Sequence, residues 1–130
     1  MAKADITMTP AEVDAFLARC PQMVVGALDA DGWPTGTLAR CTYADGALSL
    51  HVQTGDPVLQ HLARDPRVCC TADEHATYFE IQGVTVLGTA ALPAAWQAVG
   101  DGRIGEVVVS VAVDRIVSFD FGRLRPQQGD

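Results

Sequence analysis

The side chains in this chain best able to do chemistry are its four cysteines, three histidines and sixteen carboxylates. Their spacing argues against most self-contained active sites. Cys20, Cys41, Cys69 and Cys70 contain no Cys-x-x-Cys pair. Cys69 and Cys70 are neighbours in the apolar run Arg67 to Thr71, so on a strand they face opposite sides. They read as buried, reduced thiols acting as small apolar residues. His51, His61 and His75 fall on an expected strand, helix and loop, and none has a partner at metal-ligand spacing. Asp29, Asp31, Asp45 and Asp56 lie in turns and caps, where aspartate serves the backbone, and no two carboxylates stand out as an acid–base pair. There is no Gly-x-Ser-x-Gly elbow, phosphate loop, His-Glu-x-x-His or Gly-x-Gly-x-x-Gly pattern. Two side chains stay open. His51 is either a hydrogen-bonded strand histidine or a contact to a ligand lying across that face. Trp33, beside Pro34, either packs on a neighbour or a second copy, or stacks on a ring.

The elements that position these residues are mostly strands. Thr9-Pro10-x-Glu12 is a helix start with a capping box, and Val13, Phe16, Leu17 and Cys20 follow on one face until Pro21. Met23 to Leu28 reads as a strand, Asp29 to Gly32 as a hairpin turn, and Thr35 to Tyr43 as the returning strand. After the turn at Ala44-Asp45-Gly46, Leu48, Leu50 and Val52 alternate with Ser49, His51 and Gln53. Asp56-Pro57 opens a short helix with Val58, Leu59 and Leu62 on its apolar face, and Asp65-Pro66 ends it. Arg67 to Thr71 is a buried strand, Asp73 to Thr77 a polar loop, and Tyr78 to Leu92 a long strand in which Gly83 and Gly88 suit bulges or bends. A short helix is expected within Pro93 to Gly102. Two further strands follow, Glu106 to Val113 and Arg115 to Phe121. About seven hairpin-linked strands and three short helices predict a mainly β fold, a small curved antiparallel barrel.

Composition sets the outer limits. The chain has 130 residues and a mass of 13.8 kDa, with 48% hydrophobic and 19% charged residues. This suits one folded domain over 1–130, with 1–8 and 122–130 as tails. The net charge of −7 argues against nucleic acid or a basic membrane anchor as partner. No apolar run approaches a membrane span, and the first residues lack a signal-peptide pattern, so a cytoplasmic location is expected.

The order of features resembles a known family. Val25-Gly26-Ala27-Leu28 runs into Asp31-Gly32-Trp33-Pro34. Asp45-Gly46-x-Leu48-x-Leu50 follows, then Leu62-Ala63-Arg64-Asp65-Pro66-Arg67-Val68, and later Phe79-Glu80-Ile81-Gln82-Gly83 with Gly88-x-Ala90. Over roughly residues 9–120 this is similar to the pyridoxamine 5′-phosphate oxidase-like family, the FMN-binding split barrels. The resemblance implies a split β-barrel that forms a homodimer, with FMN as cofactor in each groove between subunits. It further implies cofactor-binding positions at Thr37, Arg40 and Thr42 on the second strand, at His51, Val52, Gln53 and Thr54 on the third, at Val58 on the short helix, and at Gln82.

Thr37 and Thr42 stand where the family usually carries cations, and Asp56-Pro57-Val58 stands where it usually holds the phosphate. Arg40 is the only cation on that strand. It is either a surrogate phosphate ligand, or an outward strand arginine or part of a salt bridge across a dimer. The implied function is a flavin-binding, oxidoreductase-like protein of unassigned substrate. The alternative is a split-barrel binding module that has lost FMN and holds haem, a deazaflavin, a small metabolite or nothing. Two phosphate sites, as a pyridoxamine phosphate oxidase needs, are not evident; the basic run Gly122 to Pro126 reads as exposed tail.

Overall fold

A computed structural model describes residues 5–75, 77, 80–98 and 105–124. The chain folds as α1 (Pro10–Arg19), β1 (Gln22–Leu28), β2 (Pro34–Ala44), β3 (Ala47–Gln53), α2 (Pro57–Arg64), β4 (Arg67–Glu74), β5 (Gln82–Ala91) and β6 (Glu106–Asp120). The strands close into an antiparallel barrel in the order β1-β2-β3-β6-β5-β4. The expected antiparallel barrel is therefore present.

Local chemistry accounts for most element ends. The Thr9 hydroxyl accepts from the Glu12 N–H at 3.2 Å, and the Glu12 carboxylate accepts from the Thr9 N–H at 2.9 Å, closing the capping box. The β1–β2 turn is held by Asp29, whose Oδ1 accepts from the N–H groups of Asp31 and Trp33 at 2.9 and 2.8 Å. Asp45 and Gly46 both have positive φ, 53° and 78°, which gives the β2–β3 hairpin the twist its strands require.

Alternate residues fill the barrel. Met23 and Val25, Leu48, Leu50 and Val52, Val84 and Val86, and Val107 and Val109 are all buried, with Phe16 and Leu17 of α1 and Val58, Leu59 and Leu62 of α2 in the same core. Burying a side chain of this kind contributes about 1.5–3 kcal/mol. Both helices pack against β2, towards its opposite ends. Tyr43 bonds Asp14 of α1, and Thr37 bonds Asp56 at the start of α2.

Several expectations change. Six strands are found among the described residues, rather than about seven, because Glu106 to Asp120 is one strand. Asp114-Arg115 reads as a polar break, but it is a bulge. Leu87 pairs with Arg115 and Gly88 with Val113, leaving Asp114 extra. Gly88 fits there because a Cβ would run into the Ala112 carbonyl oxygen. Gly83 marks no bulge; it lies beneath the Phe119 ring, which a Cβ would strike. β4 continues through Glu74, so the polar loop expected from Asp73 begins later. β5 begins at Gln82, and residues 78 and 79 of the expected strand lie outside the described residues. The helix expected within Pro93 to Gly102 is one 3-10 turn, Trp96–Ala98, and 99–104 lie outside the described residues.

The expected tails shorten as well. Met8 is buried, its N–H donates to Ser118 Oγ at 3.0 Å, and the Asp120 N–H donates to the Ile6 carbonyl at 2.8 Å. At the other end, Phe121–Leu124 form a 3-10 turn. No helix among the described residues is long and apolar enough to cross a membrane.

Candidate functional site

Three regions gather the residues of interest. The first is the start of α2. Gly55, at φ 89°, turns the chain so that Asp56 caps the helix. Asp56 Oδ1 accepts from the Val58 N–H at 2.9 Å, and Oδ2 accepts from the Thr37 hydroxyl at 2.8 Å. Thr54 precedes this turn. Its N–H donates to the Gly105 carbonyl, whereas its hydroxyl oxygen is buried with no hydrogen-bond partner among the described residues. A shallow recess of about 250 Å³ opens here, lined by Thr54, Gly55, Leu59, Gln60, Trp96 and Gln97.

The second region is a polar cluster on the outer face of β2, β3 and β6. The register places Arg40 opposite His51, and His51 opposite Val108. The Arg40 guanidinium donates to both oxygens of Glu106 at 2.7 and 2.9 Å. His51 Nδ1 lies 3.9 Å from Glu106, and its Nε2 is 3.3 Å from the Thr42 hydroxyl. Arg40 is thus an outward arginine in a salt bridge within the chain.

The third region is apolar. A run of facing residues crosses the outside of the sheet: Gly36, Gly26, Cys69, Leu87 and Arg115. Beside it runs a second, Leu38, Val24, Thr71, Thr85 and Val117, in which Leu38 is 60% and Val117 52% exposed. Gly26, Cys69, Leu87 and Arg115 of the first run line a groove of about 570 Å³, within the size range of small-molecule sites. A Cβ on Gly26 or Gly36 would meet only ordinary contacts of 3.5 Å or more. The fold does not need glycine at either place. What the two glycines provide is a flat surface.

The positions that the resemblance implies are only partly brought together. Arg40, Thr42, His51 and Gln53 share the outer face of β2 and β3. Thr37 and Thr54 lie at the α2 end. Val52 and Val58 are buried, so their side chains belong to the core, and the Val58 N–H is already taken by Asp56. Gln82 stands opposite Asp120, at the far end of β6 from Glu106, and accepts from Arg19 at 3.1 Å. One chain does not bring it to the others.

Glu106, which organises Arg40 and His51, carried no signal in the sequence, because its partners come from two other strands. Gly26 and Gly36 did carry one, since glycine inside a strand marks a close approach. Trp33 is 70% exposed at its hairpin tip, with no stacking partner among the described residues.

Cys20, Cys41 and Cys70 are buried, as the sequence suggests, whereas Cys69 is only partly buried because its outward face of β4 lines the groove. Burial pushes the Cys70 thiol up to about 12, and burial together with Cys20 does the same for Cys41, so neither is a nucleophile near neutrality. Among the described residues no group of three or more histidine, cysteine, aspartate or glutamate side chains could hold a metal.

The barrel, with two short helices and a grooved outer face, defines a split-barrel protein. A family model, pyridoxamine 5′-phosphate oxidase, matches residues 9–129, and the chain belongs to that family. No curated protein matches it. Among solved structures, it is similar to the conserved hypothetical protein Rv2991 from Mycobacterium tuberculosis at 23% identity and a TM-score of 0.78, covering 100% of this chain and 96% of that one. It is similar to an FAD-binding protein from Mesorhizobium loti at 16% identity and a TM-score of 0.69, covering 86% and 94%. It is also similar to a heme binding protein from Mycobacterium smegmatis at 17% identity and a TM-score of 0.63, covering 92% and 61%. These likenesses establish the fold.

The cofactor implied by the family is FMN, and its two ends fare differently. A planar ring suits the glycine-paved apolar groove. The phosphate does not suit the start of α2, where the chain supplies a carboxylate and, among the described residues, no free cation.

Proposed function

We propose that this protein is a homodimer that holds a flavin-type ring in the groove between subunits and belongs functionally with the flavin-binding, oxidoreductase-like members of its family. The observation that carries this reading is the uncovered apolar outer face. Val24, Leu38 and Val117 on this face are all more than a third exposed in the single chain, alongside the groove floored by Gly26, Cys69 and Leu87, and Val113 and Ile116 on the other face of β6 are exposed as well. A second copy that covers this face would turn an open groove into a slot suited to a large planar ligand. Within it, Gly26 and Gly36 would let the ring lie close to the backbone, and Thr42, His51 and Gln53 would supply polar contacts at its edge. His51, held between Glu106 and Thr42, is the group placed to hold a proton at that face. The flavin would supply redox chemistry, and the protein its position and surroundings. Four free cysteines suit a reducing compartment, which supports a cytoplasmic location.

The test is an absorbance spectrum of protein purified without added cofactor. Flavin bands, with flavin fluorescence released on denaturation, support the proposal. A Soret band would replace it with haem binding. A colourless protein that gains no thermal stability from riboflavin would reduce it to a structural dimer.

A further inference from the structure

A ring-binding groove of this family has to receive whatever the ring carries as a tail, and the start of α2 already holds an anion of the chain itself. Asp56 takes the donors that an incoming phosphate would use. Oδ1 accepts from the Val58 N–H and Oδ2 from the Thr37 hydroxyl. Pro57 has no N–H to give. The Leu59 N–H donates to the Asp56 carbonyl at 3.1 Å. The cations of β2 and α2, the two elements joined by the Thr37–Asp56 bond, are committed too. Arg40 grips Glu106, and Arg64 turns to the Leu28 carbonyl at 3.1 Å and the ring of His61. A flavin phosphate carries about −1.5 to −2 charges at neutral pH, and placing it beside a carboxylate with no cation between them is unfavourable. Thr54, whose hydroxyl oxygen is buried with no hydrogen-bond partner among the described residues, adds no cation there.

We infer that Asp56 is a built-in replacement for the cofactor phosphate. The groove accordingly selects a flavin-type ring with an uncharged polyol tail, the riboflavin class, over the 5′-phosphorylated flavins. This rests on the flavin reading above and narrows it.

The experiment is a pair of fluorescence titrations with riboflavin and FMN, on the wild type and on Asp56→Ser. Serine can still cap the helix, so the variant removes the charge with little effect on the fold. A chelator is present so that no divalent cation can bridge Asp56 to a phosphate. The wild type is expected to bind riboflavin about tenfold or more tightly than FMN, a difference of about 1.4 kcal/mol. In Asp56→Ser that preference is expected to fall to about twofold or less. Wild-type binding of FMN as tight as riboflavin would overturn the inference, and so would a preference unchanged in the variant.

A second measurement does not depend on flavin. Melting temperatures of both proteins are compared in inorganic phosphate and in chloride at matched ionic strength. Phosphate is expected to raise the Tm of Asp56→Ser by more than that of the wild type, in which only the general salt effect operates. If neither flavin binds, the flavin reading fails, and this arm alone decides the role of Asp56. An equal response of the two proteins to phosphate then overturns it.

Discussion

The barrel-facing apolar residues in the two halves of β6 have nearly the same chemistry and opposite fates. In the first half, Val107, Val109 and Val111 are at most 6% exposed, because they face the barrel interior and the strand is flanked by β3 on one side and β5 on the other. In the second half, Val113 and Ile116, in register with Gly88 and Val86 on that same face, are each 38% exposed, and Val117 on the outer face is 52% exposed. β3 pairing stops at Val111, so beyond it β6 pairs with β5 alone until residues 6 and 8 reach its last residues. Composition does not separate the two halves; topology does. Apolar β-branched residues left on one exposed strand mark a surface that awaits another surface.

The largest expected effect tests this contrast directly. Val109→Asp buries an unpaired carboxylate and should cost roughly 4 kcal/mol or more, enough to unfold a marginal domain. Val117→Asp should leave the fold intact by circular dichroism and abolish dimerisation. If Val117→Asp also unfolds the chain, the second half of β6 is core after all.

The glycines sharpen the same comparison. Gly88→Ala places a methyl against the Ala112 carbonyl at the bulge and should cost about 1–3 kcal/mol in denaturant unfolding. Gly26→Ala has room, so stability should stay within about 0.5 kcal/mol, while the added methyl on the groove floor weakens riboflavin binding. A large stability loss at Gly26 would make that glycine a requirement of the fold.

The cap of α2 ranks next. Asp56→Ala should cost about 1 kcal/mol through loss of the cap and the Thr37 bond, and Asp56→Ser only part of that.

The interior of the barrel should also show in alkaline solution. The Cys70 thiol is held up to about 12 from an ordinary value of 9.0, so the folded state keeps a proton that the unfolded chain loses sooner. The stability this contributes is full below pH 9 and declines as pH rises from 9 towards 12, by at most about 1.4 kcal/mol per pH unit. Urea midpoints across that range should fall less steeply in Cys70→Ala than in the wild type.

What could be read from the sequence divides along the same line between local and distant causes. The capping box at Thr9 and Glu12, the Asp56-Pro57 helix start, the Asp45-Gly46 hairpin and the alternation of Leu48, Leu50 and Val52 each depend on neighbours within a few residues. All were legible. The Asp114 bulge was not, because a polar pair in an apolar run looks the same whether the strand ends or bends. The anchoring of Met8 depends on Ser118, 110 positions away. The Arg40–Glu106 pair spans 66 positions and needs the register of three strands to bring it together. For the site, the order of motifs was enough to suggest the family. It could not show that Val52 and Val58 point into the core, or that Gln82 stands far from the other positions.

The most direct test of the central claim is sedimentation equilibrium of protein purified without added cofactor, followed in the visible absorbance of flavin. The expected result is one coloured species at twice the 13.8 kDa chain mass, with Val117→Asp sedimenting as a colourless monomer. Colour carried by a species of 13.8 kDa, or a dimer that persists unchanged in Val117→Asp, would contradict it.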